Sequence, residues 1–163
     1  MYGSGEELNN AKELSQRLNV EDFVNFNGNM PNDEILKAMQ QHEIFLFTSD
    51  KNEGWGAVAN ESMSNGCAIV ASDTIGSVPF LVKSGENGYI FKSCNLDSLC
   101  EKVEWLLNNP DDMKRISSNA YQTMRNVWSP QNAARNFLQL VDDLQNGKEV
   151  SITDGPCSRA FPI

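Results

Sequence analysis

The chain is poor in bases, in histidine and in paired cysteines, and it has no long apolar run. Thirteen Lys and Arg face 22 Asp and Glu across 163 residues, a formal net charge of −9. That balance offers no general attraction to a phosphate backbone or an anionic bilayer, so nucleic acid is not the expected partner. An anionic ligand would have to be held by local devices, such as the N–H groups at a helix start, against the field of the whole molecule. The single His42 and the cysteines Cys67, Cys94, Cys100 and Cys157 show no C-x-x-C pair and no metal-ligand spacing. A zinc site or a disulfide framework is therefore not expected; the thiols read as free in a reducing compartment, Cys67 as core filler and His42 as a surface or cap residue. No stretch approaches the ~20 apolar residues of a membrane span, and the start MYGSGEELNN has neither region of a signal peptide. The expected location is the cytoplasm.

What is present is an ordinary globular composition, 40% apolar and 21% charged, in a length that buries a core without staples. Segment 6–18 has Leu8, Ala11, Leu14 and Leu18 at helical steps, and PNDEILKAMQQ carries a capped start with Ile35, Leu36 and Met39 on one side. FVNF at 23–26, IFLF at 44–47, CAIVA at 67–71 and YIF at 89–91 read as strands. The continuous apolar runs suit strands covered on both faces. Helices are expected from about Ala57 to Asn65, near Val78–Lys83, and over Leu96–Asn108, Pro110–Val127 and Pro130–Gln145, the last two opened by proline. Trp105 and Trp128 fall at apolar positions and are expected in the core. The alternation implies a doubly wound α/β fold, a Rossmann-like parallel sheet with helices on both faces. It occupies 1–146, followed by a loop-like tail over 147–163. Only Met1 and Tyr2 precede the GSG loop at 3–5, where a strand is normal, so a first strand is expected to be cut off.

In open α/β sheets ligands sit beyond the carboxyl ends of the strands. Strand 44–47 ends just before TSDKNEGWG, and the loop then opens a helix. The N–H groups from Gly54 to Ala57 are positioned to hold a pyrophosphate without a basic side chain. A carboxylate repels phosphate but accepts from neutral hydroxyls. Glu53 and Glu61, in E-x7-E spacing, would thus grip hydroxyls on either side, bracketing a nucleotide sugar. Two glutamates so spaced are common on any surface; the weight comes from the ordered string of strand, loop, E-G-W-G, helix, E-S-M, Gly66 and second buried strand.

That string resembles the group 1 family of retaining glycosyltransferases of GT-B fold, in the C-terminal half. EGWG at 53–56, ESMSNG at 61–66, CAIVAS at 67–72, FVNFNGNM at 23–30, GENGYIF at 85–91 and GSG at 3–5 carry the likeness, which covers about residues 1–145. The resemblance implies that Glu61 binds both ribose hydroxyls and that Glu53, the catalytic-site carboxylate, binds the hydroxyls of the donor sugar. It implies that Gly54, Trp55 and Gly56 line sugar and diphosphate through their backbone, and that Met30 lies against the base. No metal or other cofactor is expected, since no D-x-D pair stands in a suitable loop. Ser77 and Phe80 depart from the family's glycine and glutamate, leaving the wall at 74–80 open. The family's Arg and Lys for the leaving diphosphate belong ahead of the GSG loop, and the acceptor-binding N-terminal domain ahead of that. Lacking both, the isolated chain is expected to be inactive, with any peripheral membrane contact made by the absent domain. A nucleotide-sugar epimerase of the same fold and a non-catalytic binding module are the alternatives.

Overall fold

The computed structural model describes residues 1–160. They form two compact units, Met1–Ala38 and the described residues from Met39 on.

The first unit holds α1 (Leu8–Arg17), a 3-10 turn at Glu21–Phe23 and most of α2 (Asn32–Met39). On α1, Leu8 and Ala11 are half-buried while Leu14 and Leu18 stay exposed. The strand expected at 23–26 does not form. Phe23 belongs to the 3-10 turn, and among the described residues the extended backbone after it pairs with Met1–Gly3: Asn27 N–H donates to Met1 O at 2.9 Å and Gly3 N–H to Gly28 O at 2.7 Å. A strand needs a ladder partner of comparable length, and three residues are too few.

The second unit contains β1 (Ile44–Phe47), α3 (Val58–Ser64), β2 (Ala68–Ser72), α4 (Val78–Leu81), β3 (Tyr89–Phe91), α5 (Leu96–Asn108), α6 (Pro110–Gln122) and α7 (Pro130–Gln145). The strands are parallel in the order β1-β2-β3, with Ile44 opposite Ala68 and Val70 opposite Tyr89. β2 is buried at all five positions. Its side chains alternate between two cores. Ile69 and Ala71 face Phe47, Ala59, Met63, Val78 and Leu81 from β1, α3 and α4; Ala68 and Val70 face Leu106, Met113 and Ile116 from α5 and α6. A strand covered on both faces has no position at which water tolerates a polar residue, so its sequence reads as one apolar run. β1 lies at the sheet edge and leaves Leu46 45% exposed, so its apolar run is not covered on both sides.

The helix expected over 110–127 is α only to Gln122; Thr123–Val127 is a π turn, with Trp128 N–H bonded to Thr123 O. Asn87 is the physical reason. It is 4% exposed, accepts from Lys83 N at 2.7 Å, and donates to Leu81 O at 2.9 Å and to Thr123 Oγ1 at 3.0 Å. The 85–88 turn is thereby tied to the end of α6, and a π turn absorbs the resulting offset in the helical ladder.

Trp105 is not core: it is 51% exposed, and its indole donates to Asp112 at 2.8 Å. Asp112 also accepts from Tyr89 Oη at 3.0 Å and from the Arg115 guanidinium, which in turn reaches Gly85 O. The carboxyl thus joins α5, β3 and α6. The Trp105 donor first, then Arg115 and Tyr89, hold it below the usual carboxylate range. A depressed folded-state value gives stability that is present above the ordinary carboxylate value and is lost as pH falls through the depressed one. Urea midpoints should therefore drop more steeply for wild type than for Asp112→Asn below about pH 4, while at pH 7 the variant should be the weaker by about 2 kcal/mol. Parallel pH profiles of the two proteins would discredit the role of this carboxyl.

Candidate functional site

The 48–57 loop leaves the carboxyl end of β1 and is shaped first by Asp50. Its carboxylate accepts from Asn52 N at 2.9 Å and Asn52 Nδ2 at 3.0 Å, and its carbonyl accepts from Glu53 N at 3.1 Å. Thr48, Ser49, Asp50, Asn52 and Glu53 line an open concavity of about 480 Å³ there. The loop then turns at Gly56, which has φ +75° and whose added Cβ would lie 2.5 Å from Phe47 Cζ. Only glycine satisfies both constraints. The first helical bonds follow, Ala59 N to Gly56 O and Glu61 N to Ala57 O. The N–H groups of Gly54, Trp55, Gly56 and Ala57 have no acceptor among the described residues.

A second loop, from β2 into α4, is stitched to the first. Gly76 N–H donates to Glu53 O at 3.4 Å and Ser77 N–H to Trp55 O at 3.1 Å. The approach is so close that a Cβ on Gly76 would fall 1.7 Å from Gly54 O. The wall left open by the sequence is therefore backbone against backbone, with Ser77 fully buried behind it.

Glu53 sits in the loop and Glu61 one turn into α3, both half-buried. Neither carboxylate forms a hydrogen bond or ion pair with a described residue, which leaves their acceptor capacity for a ligand or water. Trp55 contributes more than backbone. Its indole donates to Asn60 Oδ1 at 2.9 Å, and its ring lies 5.9 Å from Phe80 and 5.7 Å from Trp128. Phe80 thus makes an aromatic contact where the family pattern has a carboxylate. Lys51, the one base of this loop, is exposed. Met30 is half-buried ahead of α2 and belongs to the first unit. Sequence reasoning missed Gly76, Asn60 and the side-chain roles of Trp55 and Phe80. Of these only Gly76 carried a signal, a glycine just before the Ser-Val-Pro helix start.

A second concavity, about 220 Å³ among Gln40–Glu43, Asn65, Gly66, Met113, Lys114 and Ser117, opens at the amino ends of β1 and β2. That is the wrong end of a parallel sheet for a ligand.

The sequence model described as "Glycosyl transferases group 1" matches residues 1–123. The chain belongs to that family. This group 1 chain is 31% identical over 127 residues to a glycosyltransferase of Haemophilus influenzae, covering 74% of itself and 35% of that protein. With the poly(glycerol-phosphate) alpha-glucosyltransferase of Bacillus subtilis it shares 26% over 139 residues, 84% of this chain and 20% of the other. The structure of HepE from Anabaena in complex with UDP-glucose matches with a TM-score of 0.66 at 25% identity, over 74% of this chain and 34% of that one. The group 1 chain therefore spans a fifth to about a third of the length of these relatives. Its parallel sheet between two helical layers is the α/β, Rossmann-like arrangement of GT-B glycosyltransferase domains.

Proposed function

We propose that residues 1–146 of this group 1 chain are the donor-binding part of a retaining glycosyltransferase that moves a sugar from a nucleoside diphosphate to an acceptor. The observation that carries the reading is the Glu53–Glu61 segment: four N–H groups at a helix mouth that have no acceptor among the described residues, flanked by two carboxylates that no described residue engages. Backbone dipoles suit a diphosphate and free carboxylates suit hydroxyls, so the segment matches a nucleotide sugar in the order sugar, diphosphate, ribose. In this reading Glu61 accepts from the ribose and Glu53 from the donor sugar. Gly54, Trp55, Gly56 and Ala57 line the diphosphate. No metal is assigned, as no D-x-D pair stands in the carboxyl-edge loops.

Departure of a nucleoside diphosphate builds negative charge, and placed cations are a large part of its stabilisation. Lys51 is the one base in the β1–α3 loop, so the chain by itself is proposed to bind donor without turning it over. The acceptor is assigned to a further domain, through which any peripheral membrane contact of a cytoplasmic enzyme would also run. Among the described residues no helix is long and apolar enough to cross a membrane.

The test is calorimetric titration with UDP, ADP and GDP, followed by UDP-glucose and an assay of sugar transfer. Saturable binding of one diphosphate with no turnover is the expected result. Absence of binding by all three would end the donor reading, and robust turnover by the chain alone would overturn the proposed division of labour.

A further inference from the structure

The residues beyond 123 lie outside the family match, yet they reach the loop that carries Glu53. The tail after α7 is fastened at three places. Asp143, 2% exposed, accepts from Ser151 N at 3.1 Å, Ser151 Oγ at 3.0 Å and Gln139 Nε2 at 2.9 Å. Asn136 Nδ2 donates to Pro156 O at 2.9 Å, and Lys83 pairs with Asp154 at 2.9 Å. Gly155 is buried with φ +80°, and a Cβ there would meet Val127 O at 2.9 Å. The same Val127 carbonyl accepts from Asn132 Nδ2 at 2.8 Å. The tail backbone is therefore seated on the residue just before Trp128.

Trp128 packs on the core beside β1 and α3, and its ring lies 5.7 Å from that of Trp55. Its buried Nε1 has no acceptor among the described residues. No hydrogen bond orients this indole, so its position depends on packing and on the backbone at 127. Trp55 in turn is the middle of E-G-W-G, held on its other sides by Phe80 and Asn60, and Asn60 Nδ2 contacts Met124 Sδ at 3.7 Å.

We propose that the C-terminal tail buttresses the donor loop: seated by Asp143, Asn136 and Gly155, it fixes Val127 and Trp128, and Trp128 fixes Trp55 and with it the backbone between Glu53 and Ala57. These are positioning residues. The loop's role as a donor site rests on the function proposed above; its mechanical dependence on the tail does not.

The test uses the full chain against two variants, one ending at Asn146 and one carrying Gly155→Ala. The readouts are amide hydrogen exchange and UDP titration. In at least one variant exchange should rise about tenfold or more at 53–58 and 123–128, with 68–72 in β2 unchanged. UDP affinity should fall about tenfold in step, because an unsettled loop reduces the binding-competent fraction. Unchanged exchange at 53–58 in both variants overturns the buttress, whatever UDP does. Loss of protection at 68–72 in both would also overturn it, since the tail would then be holding the core rather than the loop. Raised exchange at 53–58 with no UDP binding by any of the three proteins supports the buttress and refutes the donor reading.

Discussion

Replacing Gly76 by alanine should lower UDP affinity at least about 100-fold while leaving the chain folded. The added Cβ would fall 1.7 Å from Gly54 O, well inside van der Waals contact with a backbone atom that cannot rotate away. The two carboxyl-edge loops must separate, and the bonds from Gly76 N–H to Glu53 O and from Ser77 N–H to Trp55 O stretch or break. Displacements of about 1 Å in a positioning element are enough for losses of this order. The sheet beneath is untouched, so the thermal midpoint should fall only by the amount that overpacking of about 1–3 kcal/mol produces. Gly54→Ala is the matched control for stability, because a Cβ there meets nothing within 4 Å. Titration and thermal unfolding of the two variants side by side check the expectation; an unaffected UDP affinity in Gly76→Ala would show that the loop pair is not a ligand wall.

Glu61→Ala tests the chemistry rather than the scaffold. Glu61 stands in the first turn of α3, and its backbone is fully used, N–H to Ala57 O and carbonyl to Asn65. Its carboxylate has no partner among the described residues, so removal should change stability by no more than about 0.5–1 kcal/mol, the scale of a lost acid at a helix start. Two charge-assisted hydrogen bonds to ribose hydroxyls are worth more. Losing them should cost about 3 kcal/mol, or roughly 100-fold in Kd for UDP. Glu61→Gln keeps one acceptor and the shape, and should fall between. Calorimetry resolves the three proteins, and equal affinity across them would remove Glu61 from the site.

Where one force decided a segment, the sequence displayed it. β2 and β3 are set by burial, α5 and α7 by apolar spacing with Asn95 and Pro130 at their starts, and these came out within a residue of the expected ends. Where the decision was made elsewhere in the chain, local pattern misled. The short apolar run at 23–26 reads as a strand, but ladder bonds need a partner. The end of α6 follows Asn87, a residue far away in sequence, and no periodicity in 110–127 announces it. Trp105 has a core spacing yet turns outward, where its indole donates to the half-buried carboxyl of Asp112. The site divides in the same way. Its place at the end of β1, with a glycine turn feeding a helix, was legible from the order of motifs. The stitching by Gly76 and the chain of rings from Trp128 to Trp55 were not, because both depend on which loops become neighbours.

The strand order has a consequence for how the second unit is made. Ile44 pairs with Ala68 and Val70 with Tyr89, so every ladder joins segments separated by a single crossover. Each βα step can therefore dock on the one already formed as synthesis proceeds from the amino end. The nascent sheet never waits for a distant strand, but the Ala68 and Val70 face of its middle strand stays open to water until α5 and α6 have left the ribosome.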